Sequence, residues 1–168
     1  MKILKMPFMS RTPALRETRP SETWAVDFMV LDFPSRPYVM LVADVGTRRP
    51  LSAAVSLVVI EDIIAALERL VRRSGRPEQI WMDHSLAYRS LMGDFHPALQ
   101  AWARRHGISV TASPTPRTTA AAERLLRDLS TFLRDKRFPT LMELGHDIER
   151  WRQSYVAAAD THIPNVTQ

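Results

Sequence analysis

The hydrophobic pattern changes period along the chain. Trp24–Leu31 (WAVDFMVL) and Tyr38–Val45 (YVMLVADV) are short runs rich in apolar and β-branched residues, separated by the Pro-punctuated turn Asp32–Pro37. A second turn, Gly46–Pro50, leads to a third strand over Leu51–Val55. Three strands on short turns predict an antiparallel meander, and the nearly unbroken apolarity of the second predicts a strand covered on both faces. From Ile60 the period becomes 3.6. Ile60, Ile63, Ile64, Leu67, Leu70 and Val71 line one face of a helix that Gly75 and Pro77 close. Gln79–Met82 (QIWM) reads as a short buried strand that delivers Asp83 at its end. A helical stretch follows, with Phe95, Leu99 and Trp102 on one stripe, Pro97 suited to the first turn and Gly107 as the stop. Ile108–Ala112 is the fifth strand. After the loop Ser113–Arg117, Thr118 or Thr119 can cap a long helix reaching about Arg137, and a last helix runs from Leu141 to about Ala158.

The order βββαβαβαα predicts an α/β fold: a mixed five-stranded sheet, made of a three-strand antiparallel meander plus two parallel strands, with helices on both faces. Residues 1–20 read as an extended N-terminal arm, 21–158 as one core and 159–168 as a tail. At 168 residues and 45% hydrophobic, a single domain buries roughly 70% of its unfolded surface and needs no staples. With no cysteine, disulfides, thiolate zinc sites and a catalytic thiol are excluded, and the histidines show no pair at zinc-ligand spacing. No apolar run approaches the ~20 residues that span a bilayer, and the N-terminus lacks a signal-peptide pattern; a cytoplasmic protein without a membrane partner is the expectation. The net charge is +5. Its cations are almost all arginine, whose planar fork suits phosphate.

Three acids stand where such a fold can bring them together. Asp27 lies inside the first strand, Asp83 ends the fourth, and Glu123 opens the long helix. Each has an ordinary alternative. Asp27 can be partnered by an arginine or a backbone amide, Asp83 can cap the following helix, and Glu123 can favour a helix dipole.

Taken together, the segments around these acids carry a resemblance. TWAVDF with Trp24 and Asp27, VADVGTR over 42–48, IWMDHS around Asp83, and HGISVTASPTP leading to AAAER around Glu123 resemble, in this order, the catalytic core of retroviral-type integrases and the related DDE transposases. The resemblance covers roughly Ser21 to Tyr155. It implies the ribonuclease-H-like fold and a metal-dependent polynucleotidyl transferase for DNA integration or transposition. It also implies two Mg²⁺ or Mn²⁺ ions, held by Asp27 as the bridging ligand and by Asp83 and Glu123, one at each metal. Where that family usually has Asn-Gly after the second aspartate, this chain has His84-Ser85. That departure favours a second reading, a catalytically inactive DNA-binding or assembly remnant; a third is a nuclease on the same fold that uses water as nucleophile.

A helical projection at 100° per residue adds an observation independent of the resemblance. With Glu123 at 0°, Leu125, Leu126, Leu129, Phe132 and Leu133 form the apolar face, while Arg127 and Arg134 fall at about 40° and 20°, beside Glu123. A run of arginines on that side fits a DNA backbone; the alternative is a solvated flank with ordinary pairing such as Glu123 to Arg127. Arg117 before the helix and His84 are further DNA-contacting candidates, and Arg48 and Arg49 in the strand turn weaker ones. Trp81 and Trp102 sit in apolar segments and read as core, while Trp151 with Tyr155 is open. The resemblance implies DNA as partner and a homo-oligomer, with Trp102 or the last helix as conceivable contacts. Only 26 residues precede Asp27, so modules or partner proteins that choose the DNA are expected outside this chain.

Overall fold

The computed structural model describes residues 19–32, 35–56, 60–82, 95–112 and 116–160. The meander forms as the pattern predicts. Strand β1 (Thr23–Val30) pairs antiparallel with β2 (Tyr38–Asp44), Asp27 opposite Leu41, and β2 pairs antiparallel with β3 (Pro50–Ser56). Pro50 is tolerated because it opens an edge strand. Helix α1 (Ile60–Ser74) then carries the chain to β4 (Gln79–Met82), which adds parallel to β1 on its other side. Helix α2 (Pro97–His106) leads to β5 (Ser109–Ala112), parallel to β4. Helices α3 (Pro116–Leu133) and α4 (Leu141–Asp160) complete the order. The sheet reads β3-β2-β1-β4-β5, the mixed five-stranded arrangement expected. Most of the arm (1–18) and the tail from residue 161 lie outside the described residues.

Side chains alternate across β1 and so feed two cores. Trp24 and Val26 join Met40, Val42, Ile63, Leu67, Ile80, Leu99 and Trp102 beneath α1 and α2. Ala25 joins Val39, Leu41, Ala43, Leu125, Leu129, Leu144 and Ile148 beneath α3 and α4. Six of the seven β2 residues are buried, as expected for a strand covered on both faces. Each fully buried Leu or Ile contributes about 1.5–3 kcal/mol, so the two layers together outweigh the marginal propensity of four-residue strands such as β4 and β5.

Several boundaries differ from the pattern. Helix α2 begins at Pro97 with His96 as its N-cap, the imidazole Nδ1 accepting from the Ala98 N–H at 3.2 Å. Phe95 therefore precedes the helix, although it still packs on the first core. Helix α3 starts at Pro116, where the missing N–H costs nothing, earlier than a Thr118 or Thr119 cap. It stops at Leu133 and does not reach Arg137. There the ladder tightens to short-range bonds, Arg134 N–H to Thr131 O at 3.4 Å and Lys136 N–H to Leu133 O at 3.1 Å. The turn is then held to α4 by Lys136, which pairs at 3.1 Å with Asp147, itself also paired with Arg150 within α4. Trp102 is 1% exposed, which removes it as an intermolecular contact. Trp151 is buried in the second core, its ring 5.5 Å from that of Tyr155.

Two polar devices hold these layers. Asp44, almost fully buried, closes the β2–β3 turn by accepting from Ser21 N–H, Gly46 N–H and Thr47 Oγ1 at 2.7–3.2 Å. The residue pattern Asp-x-Gly-Thr is the sequence signal of such a turn. Glu68 on α1 accepts from Trp102 Nε1 at 2.9 Å, lies 2.8 Å from His106 Nε2 on α2, and pairs with Arg72 at 3.1 Å. The Trp102 N–H, followed by Arg72 and His106, holds the Glu68 carboxyl below its ordinary value against partial desolvation.

Two outcomes follow for stability. A Cβ at Gly46 would stand 2.6 Å from the Arg19 carbonyl oxygen and 2.8 Å from Pro20 N, so Gly46→Ala should lose about 1–3 kcal/mol in urea unfolding. A carboxylate with a depressed folded pKa stabilises the fold above its unfolded pKa, and that contribution fades as pH falls through the folded value. Glu68→Gln should therefore lower the Tm at pH 7, with the gap to wild type closing as pH drops below the ordinary glutamate value of 4.5. An equal gap at pH 3 and pH 7 would remove the ionised clamp.

Candidate active site

Strand alternation decides which face Asp27 occupies. Two residues on from Ala25, it stands on the side covered by α3 and α4, half-buried near the middle of the central strand. Its pairing partner across the sheet is Leu41. The β1–β4 ladder ends one residue earlier, at Val26 opposite Met82. Phe28, past the last such pair, donates its N–H to Asp27 Oδ1 at 2.7 Å. The expectation of a backbone-amide partner for Asp27 is thus met for one oxygen.

Glu123 comes to the same face by a different route. Helix α3 crosses β1 with Ala122, Leu125, Leu126 and Leu129 buried in the second core. Glu123 follows Ala122 and is exposed, as the projection requires of a position opposite the apolar stripe. Asp27 and Glu123 therefore share one side of the sheet. Asp83 and His84 lie outside the described residues, as does the side chain of Arg117. Among the described residues, no three histidines, aspartates or glutamates gather where they could hold a metal ion.

Arg127 is exposed on α3, four residues beyond Glu123. Arg134 and Arg137 are exposed too, but both follow the end of α3 at Leu133. The helical projection that aligned Arg134 with Glu123 does not apply to it, because the backbone has already turned. Trp81 is paired with Ala25 in the parallel ladder and so faces Asp27's side of the sheet. Its indole Nε1, like that of Trp24, is buried with no hydrogen-bond partner among the described residues, a cost of about 1–3 kcal/mol that burial of the large ring has to exceed. Trp81 was legible as core; the orphaned N–H groups were not, because a hydrogen-bond deficit has no signature in sequence.

No protein-family model matches the chain, and no curated protein matches it in sequence. Solved structures do. The magnesium-bound catalytic core of HTLV-2 integrase, in its trimeric form, superposes with a TM-score of 0.60 at 15% identity, covering 83% of this chain and 87% of that one. The catalytic core of BIV integrase gives 0.60 at 13% identity over 84% of this chain and 97% of its own. The fold is that of retroviral integrase catalytic cores. A chain of the simian T-cell lymphotropic virus intasome matches with a TM-score of 0.62 at 18% identity. The present chain covers 59% of that longer one, with 92% of itself aligned. The integrase-core fold is thus shared almost throughout the described residues, while fewer than one residue in five is identical. None of the described helices is long and apolar enough to cross a membrane.

Proposed function

We propose that the chain is the core of a metal-dependent polynucleotidyl transferase acting on DNA, with Asp27, Asp83 and Glu123 as its catalytic, metal-holding carboxylates. The observation that carries this reading is the register of the central strands. Strands β1 and β4 run parallel as far as Val26 and Met82, and the next residue along each is an aspartate. Glu123 stands on the helix that covers Asp27's side of the sheet. A donor set made only of carboxylate oxygens suits Mg²⁺ or Mn²⁺, and three carboxylates gathered at one site would repel unless cations offset them.

Two such ions, when bound, supply Lewis-acid stabilisation of a phosphodiester and an activated water or 3′-hydroxyl for in-line attack. The protein's own part is positional. Strand β1, central in the sheet and paired with β2 through Asp27, mounts the ligand on regular backbone, and the Phe28 N–H orients the Asp27 carboxylate. Arg127, one turn along α3 from Glu123, presents its guanidinium to the DNA backbone. Arg117, Arg134 and His84 are further DNA contacts in this reading. Residues 21–158 are the catalytic core, working as a homo-oligomer in the cytoplasm with DNA choice supplied by modules or proteins outside these residues.

Binding of Mn²⁺ in the presence of DNA tests the centre. Wild type should bind in the millimolar range or tighter, and an Asp27→Asn, Asp83→Asn double variant should not. Failure of the wild type to bind refutes both transferase and nuclease, leaving a DNA-binding or assembly role. Strand transfer from a pre-cut DNA end, as opposed to nicking alone, then separates transferase from nuclease. For the backbone contact, Arg127→Ala should reduce the slope of log Kd against log salt by about 0.9; an unchanged slope takes Arg127 out of the interface.

A further inference from the structure

The two ends of the sheet differ in charge. Strands β1, β4 and β5 run parallel, so their N-terminal ends lie together, four residues along β1 and about 13 Å from Asp27. Backbone bonds tie this end into one surface: Val45 N–H to Thr23 O, Glu78 N–H to Glu22 O and Ser109 N–H to Glu78 O, all 2.9–3.0 Å. The last turns of α1 and α2 finish here, bringing Arg72, Arg73, Arg104 and Arg105, all exposed. The β2–β3 turn adds Arg48, and Arg19 backs onto Gly46 of that same turn.

The acids at this end are mostly committed elsewhere. Asp44 is buried in its turn, Glu68 is held by Trp102, His106 and Arg72, and Glu22 accepts from the Arg19 N–H. Glu149 on α4, which feels Arg73, is bonded to Arg152 at 2.6 Å. Glu78 is exposed.

Helix dipoles account for some of these arginines but not for the set. Cations in a last helical turn are favourable, and Arg76 spends its guanidinium on the His106 and Gly107 carbonyls that end α2. Arg73 donates one Nη2 bond to Leu51 O and retains further donors. Arg48 belongs to no helix and holds a left-handed backbone at φ 59°, a conformation that favours glycine or asparagine. Arg104 and Arg105 pair with no acid among the described residues.

We infer that this end of the sheet is a second DNA-backbone surface, distinct from the carboxylate face and independent of metal. From β3 to β5 the sheet edge spans about 19 Å, roughly half a turn of duplex. The cations sit on turns and helix C-termini, so the contacts are to phosphate and are indifferent to base sequence. In the proposed role, such a surface lets the core hold a second DNA segment while the first lies at the carboxylates.

The test uses the full chain, a fluorescent 20-bp duplex of arbitrary sequence and a chelator, so that neither metal binding nor activity enters the readout. An Arg48→Gln, Arg104→Gln, Arg105→Gln variant should reduce the slope of log Kd against log salt by about 2–3, close to 0.9 per phosphate lost. A Glu78→Arg variant should raise it by about 1, which keeps the inference open to test should the triple variant fold poorly. Unchanged slopes in the folded variants overturn the inference. A triple variant that loses affinity for poly-glutamate while retaining its slope on DNA also overturns it, and assigns the surface to an acidic protein. Because no metal is present, failure here leaves the carboxylate centre untouched, and failure of Mn²⁺ binding leaves this surface untouched.

Discussion

Everything in this fold depends on β1 being buried on both faces and paired on both edges. Trp24, Ala25 and Val26 are fully buried, and they divide between two cores on opposite sides of the sheet. The strand can afford no polar side chain over that stretch. Asp27 follows at once, where burial first becomes partial. A carboxylate at that position is costly in an apolar sheet, and here it is oriented by the N–H of the following residue. The β1–β2 ladder continues through Asp27, opposite Leu41, and limits the freedom of its backbone.

The same strand polarity separates the molecule into two ends of different chemistry. Parallel strands align their starts and their finishes, and helices that connect them must end where the next strand begins. Arginines in the last turns of α1 and α2 are thereby gathered beside the β2–β3 turn and Arg19, while Asp27 stands further along β1 on the opposite course. The formal charge of +5 averages over this difference and hides it. Arg48, unremarkable as a surface residue of a turn, gains significance only from what the topology places next to it.

Much of the architecture was legible because it rests on periodicity. The switch from period two to 3.6 located every strand and helix core, and unbroken apolarity marked β2 as covered on both faces. The errors lie at ends. Helix α3 was carried past Leu133 because leucine and arginine spacing continued to fit 100° per residue, whereas the backbone turns there to let Lys136 reach Asp147. Phe95 fitted the apolar stripe of α2 and packs on the same core, but His96 caps the helix first. Glu68 carries no signal in the pattern of its own helix. Its role as the tie between α1 and α2 depends on Trp102 and His106, thirty-four and thirty-eight residues away, and no local pattern encodes that meeting.

The sequence by itself determined the elements, their order and the residues able to form a core, because each of these follows from side-chain chemistry and short-range spacing. Only the tertiary structure decided that β4 inserts beside β1 in a register ending at Val26 and Met82, that the helix carrying Glu123 covers Asp27's side of the sheet, and that dispersed arginines are placed at the far end of the sheet. Those outcomes are set by which buried faces must be covered, a condition on the whole chain that no window of residues contains.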